Sequence, residues 1–118
     1  MKVYISGPIT GRKRYRERFQ HVADCLTAEG HIAVNPTLLE NVMPMCSYED
    51  YMTIDLAILE MCDAIYMLNG WKDSPGAKRE LYHAGSLGLT VMYEDDKMSS
   101  CTGTTENGGK IKYNTGDY

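Results

Sequence analysis

The sequence predicts an α/β fold, a three-layer Rossmann-like (flavodoxin-like) sandwich around a parallel sheet of about four to five strands. Two observations predict it. Strand-like runs of β-branched and aromatic residues alternate with longer runs at helical spacing along 118 residues, a length that suits a single core. Gly- and Pro-containing loops follow the first and third strand-like runs, where open parallel sheets keep their ligands.

Val3-Tyr4-Ile5 is the first strand, closed by the turn Ser6-Gly7-Pro8-Ile9-Thr10-Gly11. Phe19, Val22, Ala23 and Leu26 then recur at helical spacing, which predicts a helix over about residues 12–29 ended by Gly30. His31-Ile32-Ala33-Val34 is strand two, stopped by Asn35-Pro36. Residues 37–47 hold a proline and mixed polarity, and they read as a loop or flap with at most one helical turn. Helical spacing resumes over residues 48–61, and Ala64-Ile65-Tyr66-Met67-Leu68 is strand three. A third helix begins near Pro75, with Leu81, Ala84 and Leu87 as its apolar face, and Thr90-Val91-Met92-Tyr93 is strand four. Residues 1–94 form one domain. Residues 95–118 are a polar, Ser-, Thr- and Gly-rich tail in which Lys110-Ile111-Lys112-Tyr113 is a candidate fifth, edge strand.

The chain is 43% hydrophobic with a formal net charge of -4, a balance that argues against a nucleic-acid polymer as partner. No apolar run approaches roughly 18 residues, so no membrane span is expected, and the opening strand pattern leaves no room for a signal peptide. Cys25, Cys46, Cys62 and Cys101 form no C-x-x-C pair, which reads as reduced thiols in a cytoplasmic protein without a metal site. No cofactor is expected, because the first loop is neither G-x-G-x-x-G nor a P-loop.

The stretch from Gly70 to Glu80 draws the chemistry together. Ser74 is placed to cap the helix that Pro75 starts, Gly76 to leave room for a ligand, and Glu80 to face the crevice from the second turn. Trp71, beside this site, is a candidate either for stacking on a base or for capping the core. The first loop offers backbone N–H groups and hydroxyls from Ser6, Gly7, Ile9, Thr10 and Gly11, followed by Arg12, a set that suits a sugar or a monophosphate. His83 reads as a surface residue and Asp63 as a structural one.

K-V-Y-I-S-G-P-I-T-G, D-L-A-I-L-E-M-C-D-A-I and S-P-G-A-K-R-E followed by A-G-S-L-G resemble, in order and spacing, the nucleoside 2-deoxyribosyltransferase family, including its deoxynucleoside 5′-monophosphate N-glycosidases. The resemblance covers roughly residues 2–93. It implies three catalytic residues, Tyr4, Asp55 and Glu80, with Glu80 attacking the anomeric carbon to form a glycosyl ester that water or a second base resolves. Asp55 would supply or relay the leaving base's proton, and Tyr4 would hold Glu80. Ser74 stands where the transferases carry a base-reading aspartate and the monophosphate hydrolases a phosphate-contacting serine. The hydrolases' first-loop arginine falls on Thr10, with Arg12 two residues on.

The expected activity is therefore cleavage of the N-glycosidic bond of a 2′-deoxynucleoside or its 5′-monophosphate. The alternative is a non-catalytic sensor that binds a nucleotide in the same crevice. The resemblance also implies a homodimer or an assembly of dimers, and Tyr48, Tyr51, Met52, Ile58 and Met61 wrap more than one face of their helix, as burial against a second subunit requires.

Overall fold

A computed structural model describes residues 1–94. The elements run β1 (Lys2–Ser6), α1 (Tyr15–Ala28), β2 (Ile32–Val34), a 3-10 turn (Pro36–Leu38), α2 (Leu39–Val42), α3 (Tyr48–Leu59), β3 (Ala64–Met67), a second 3-10 turn (Trp71–Asp73), α4 (Pro75–Leu87) and β4 (Thr90–Tyr93). The four described strands form one sheet in the order β2-β1-β3-β4. Every pair is parallel, with Tyr4 opposite Val34 on one side and Ile65 on the other. The candidate strand at residues 110–113 and the tail lie outside the described residues.

β1 and β3 are the inner strands and are covered on both faces, which is why they are near-continuous apolar runs rather than alternating ones. On one face Val3, Ile5, Ala64, Tyr66 and Met92 pack with Phe19, Val22, Ala23 and Leu26 of α1. On the other, Tyr4, Ile65, Met67 and Tyr93 pack with Leu59 of α3 and with Ala77 and Ala84 of α4. A helix-sheet-helix sandwich results.

Local chemistry fixes the helix ends. α3 begins with a capping box in which Ser47 Oγ accepts from Asp50 N while the Asp50 carboxylate accepts from Ser47 N. α4 has Ser74 Oγ accepting from Ala77 N and Pro75 in its first turn, and it stops at Gly88 in the left-handed region, φ 75°. α1 starts at Tyr15, later than residue 12, because Arg12 N donates to Ile9 O and Gly11 sits at φ 79°, so the turn consumes those residues. The flap contains more structure than a loop, with a 3-10 turn nucleated by Asn35 Oδ1 accepting from Thr37 N and running into α2.

Asp63 is structural, accepting from Lys2 N at 2.8 Å at the amino end of the sheet. His83 pairs with Glu60 at 2.9 Å on the surface. Cys46 and Cys62 are free thiols, but Cys25 is disulfide-bonded, which corrects the expectation of four reduced cysteines. Local spacing rules detect C-x-x-C pairs and are blind to a bond between distant cysteines. Among the described residues no helix is long and apolar enough to cross a membrane.

Candidate active site

β1 alternates its side chains, so Tyr4 and Ser6 leave the same face of the sheet. α4 runs over that face and lowers Glu80, its sixth residue, onto both hydroxyls. Tyr4 donates to Glu80 Oε2 at 2.7 Å and Ser6 donates to Oε1 at 2.6 Å. The carboxyl is 6% exposed, so each oxygen is fixed by one hydroxyl in a largely dry setting.

Burial raises the Glu80 pKa to about 7, against the pull of Ser6 and Tyr4, which favour the anion; the nearby Asp55 raises it further. Burial pushes the Tyr4 phenol well above its ordinary value, and Glu80 and Asp55 push the same way. Tyr4 therefore keeps its proton and stays a donor. Burial also raises Asp55 to about 6, with Tyr4 pulling down and Glu40 pushing up. Asp55 Oδ1 is buried and accepts no hydrogen bond among the described residues, an unmet acceptor of the kind native sites reserve for a ligand.

Glu80 and Asp55 line one cavity of about 580 Å³, a volume within the usual range for small-molecule sites. Its other walls are the first loop (Gly7, Pro8, Ile9, Thr10, Arg12), the turn and α2 (Pro36, Thr37, Glu40), α3 (Tyr48, Tyr51, Met52) and the approach to α4 (Asp73, Ser74, Pro75, Gly76, Ala77). Tyr4 and Ser6 are outside this lining and both act on it through Glu80, Tyr4 through Asp55 as well. The cavity opens at the carboxyl ends of the parallel strands, the usual place for a ligand in an open α/β sheet.

Several expected binding residues are placed differently. Gly11 and Trp71 are absent from the cavity wall. Trp71 packs on the apolar cluster beneath α4, its ring centroid 6.2 Å from that of Tyr93, because its 3-10 turn carries the ring down toward β4. Gly76 is on the cavity wall, and a Cβ there would lie 3.2 Å from the Tyr48 hydroxyl and 3.5 Å from Met52 Sδ, so the glycine also serves the close approach of α3 and α4. Ser74 does reach the cavity, and since its oxygen accepts from Ala77 N, its O–H is left to donate inward. Arg12 lies over Gly70 and reaches Asp73 at 3.7 Å.

Glu40 was not singled out from sequence, and the α3 row Tyr48, Tyr51 and Met52 was expected against a second subunit rather than on the cavity wall. The row carried a signal, since positions 48, 51, 52 and 55 share one helical face with the candidate Asp55. Arg79 of α4 steadies Tyr48, with its guanidinium 5.9 Å from the ring centroid and paired to Glu49. For Glu40 no such signal exists. Its partners, Tyr15 and Arg16, are on α1.

A family described as "Domain of unknown function (DUF4406)" matches residues 1–93. No curated protein matches the sequence. Among solved structures, a 2-deoxyribosyltransferase from the psychrotolerant bacterium Bacillus psychrosaccharolyticus is similar with a TM-score of 0.62 and 23% identity, over 79% of this chain and 71% of that one. At this identity the likeness establishes a shared fold.

Proposed function

The chain belongs to the DUF4406 family, and on that premise we propose that it cleaves the N-glycosidic bond of a 2′-deoxynucleoside or its 5′-monophosphate, with Glu80 as nucleophile. The observation that carries the reading is the buried Glu80 carboxyl at the cavity wall, gripped by two hydroxyls and facing the same space as Asp55. A carboxylate so held has lost most of its freedom and hydration before the substrate arrives.

In the first step a Glu80 oxygen bonds to C1′ of the sugar as the C1′–N bond breaks, and the bond's electron pair leaves with the base. Asp55, whose pKa of about 6 leaves it a protonated fraction near neutrality, gives that base its proton. In the second step water, or the nitrogen of another base, loses a proton to Asp55 and attacks C1′, and the ester bond to Glu80 breaks. Tyr4 and Ser6 steady the carboxyl in both steps. Met52, expected against a second subunit, is buried within the chain, while the exposed Leu38, Val42, Met45 and Tyr48, the last on the cavity wall, fit a homodimer in which a second copy limits water at the reacting carbon. Sedimentation reading a monomer that still turns over substrate would remove the dimer from this reading.

The test is to incubate the protein with deoxynucleosides and their monophosphates and follow free base by chromatography. Glu80→Ala is expected to lower release by about a thousandfold or more. Release by Glu80→Ala at the wild-type rate would exclude Glu80 as the nucleophile.

A further inference from the structure

Glu40 is a carboxylate built into the cavity wall. The Tyr15 hydroxyl donates to its Oε1 at 2.6 Å, and Arg16 donates to the same oxygen through Nη2 at 2.6 Å and Nε at 3.0 Å. No described residue donates to Oε2. With three donors on one oxygen and a side chain only 21% exposed, the group is held in place and presents its second oxygen as a fixed acceptor. Glu40 and Asp55 line the same cavity.

A fixed carboxylate oxygen accepts an N–H and repels a carbonyl oxygen. The cavity wall is also predominantly acidic. Arg12 is the only lysine or arginine among the described lining residues and already reaches Asp73, while Glu40 is matched by Arg16. Glu40, Asp55, Asp73 and Glu80 put four carboxyl groups on the wall, against which Ser74 offers a single O–H. A phosphate dianion entering here meets four carboxyl groups and one guanidinium.

From this geometry we propose that Glu40 determines specificity by accepting from the exocyclic amino group of the base, so that the substrate is an uncharged nucleoside with an amino-bearing base rather than a 5′-monophosphate. The inference rests on the glycosidic reading of the site. It deepens that reading by choosing among its substrates.

Deoxyadenosine against deoxyinosine, and deoxycytidine against deoxyuridine, exchange only an amino group for a carbonyl, which makes them the right probes. The wild-type protein is expected to release base from the amino member of each pair with a kcat/KM about tenfold higher or more, and faster than from the matching monophosphate. Glu40→Gln, whose amide both donates and accepts, is expected to bring the amino-to-carbonyl ratio to within about threefold of unity. Tyr15→Phe, which frees one anchor and keeps the carboxylate, lowers the ratio less and serves if Glu40→Gln does not fold. Base release with an unchanged ratio in these variants, or with monophosphates preferred, would overturn the inference and leave the glycosidic reading standing. If nothing is cleaved, thermal shifts of the wild-type protein with the same compounds decide it. A larger shift with amino-bearing nucleosides than with their carbonyl partners or monophosphates supports the assignment, whereas equal or absent shifts overturn it.

Discussion

The two faces of the sheet are made by the same strands and do opposite things. Toward α1, Val3, Ile5, Tyr66 and Met92 meet Phe19, Val22 and Leu26, and the contact is apolar packing throughout. Toward α3 and α4, Tyr4 and Ser6 from the same β1 meet Glu80, a buried carboxyl that burial pushes away from its charged form. Both faces bury apolar clusters, but only the second also bears the cost of a buried carboxyl. A period of two in the backbone is enough to keep them apart, so the strain of a buried acid is carried by a strand whose opposite side is anchored in the core.

Phe19→Ala should break the quiet face. It leaves a cavity under α1 and is expected to cost about 3–5 kcal/mol in denaturant unfolding, with kcat per folded molecule unchanged. A comparable drop in kcat would mean the faces are coupled.

Glu80→Gln tests the other face with the opposite sign. Because the folded-state pKa of Glu80 is raised, to about 7, the group's contribution to stability is fully present below its unfolded value of 4.5 and is lost as pH rises through about 7. The uncharged variant should therefore match the wild type near pH 4. Above pH 7 it should be more stable, by on the order of 3 kcal/mol, although it is catalytically dead. Thermal melts across that range read the difference, and a variant less stable than wild type at pH 8 would contradict it.

Smaller effects sharpen the contrast. Ser6→Ala and Tyr4→Phe each remove a hydroxyl that favours the Glu80 anion, so the Glu80 titration, followed by NMR, should move to higher pH, further for Ser6. Each should lower kcat/KM at pH 7 by about tenfold. Movement to lower pH would mean that the hydroxyls do not stabilise the charged form. Asp63→Ala, at the far end of the sheet, should change stability by about 1 kcal/mol or less and leave base release untouched.

Much of this fold was legible because its signals are local. Ser74, Pro75 and Gly88 mark the ends of α4 by backbone chemistry that acts within a few residues, and the apolar strand runs mark a sheet covered on both sides. Glu80 stood out for the same reason, as a carboxylate two turns into a helix that follows a strand and a glycine-containing loop. What escaped was decided by distant contacts. Nothing near Glu40 foretells that Tyr15 and Arg16 will fix it, and nothing near Gly76 foretells that Tyr48 of another helix will fill the space beside it. Trp71 read equally as a stacking residue and as a cap on the core, and the 3-10 turn that draws its ring toward Tyr93 decides for the core.

The bonds from Tyr4 and Ser6 to Glu80 span 76 and 74 residues of chain. During synthesis or refolding those partners meet only after β3 has paired with β1 and α4 has docked, which are among the long-range contacts that close slowly. No shorter folding intermediate holds the assembled carboxyl. Recovery of catalytic competence is thus a clock for the completion of folding, and in a stopped refolding reaction it should trail the return of helical circular dichroism.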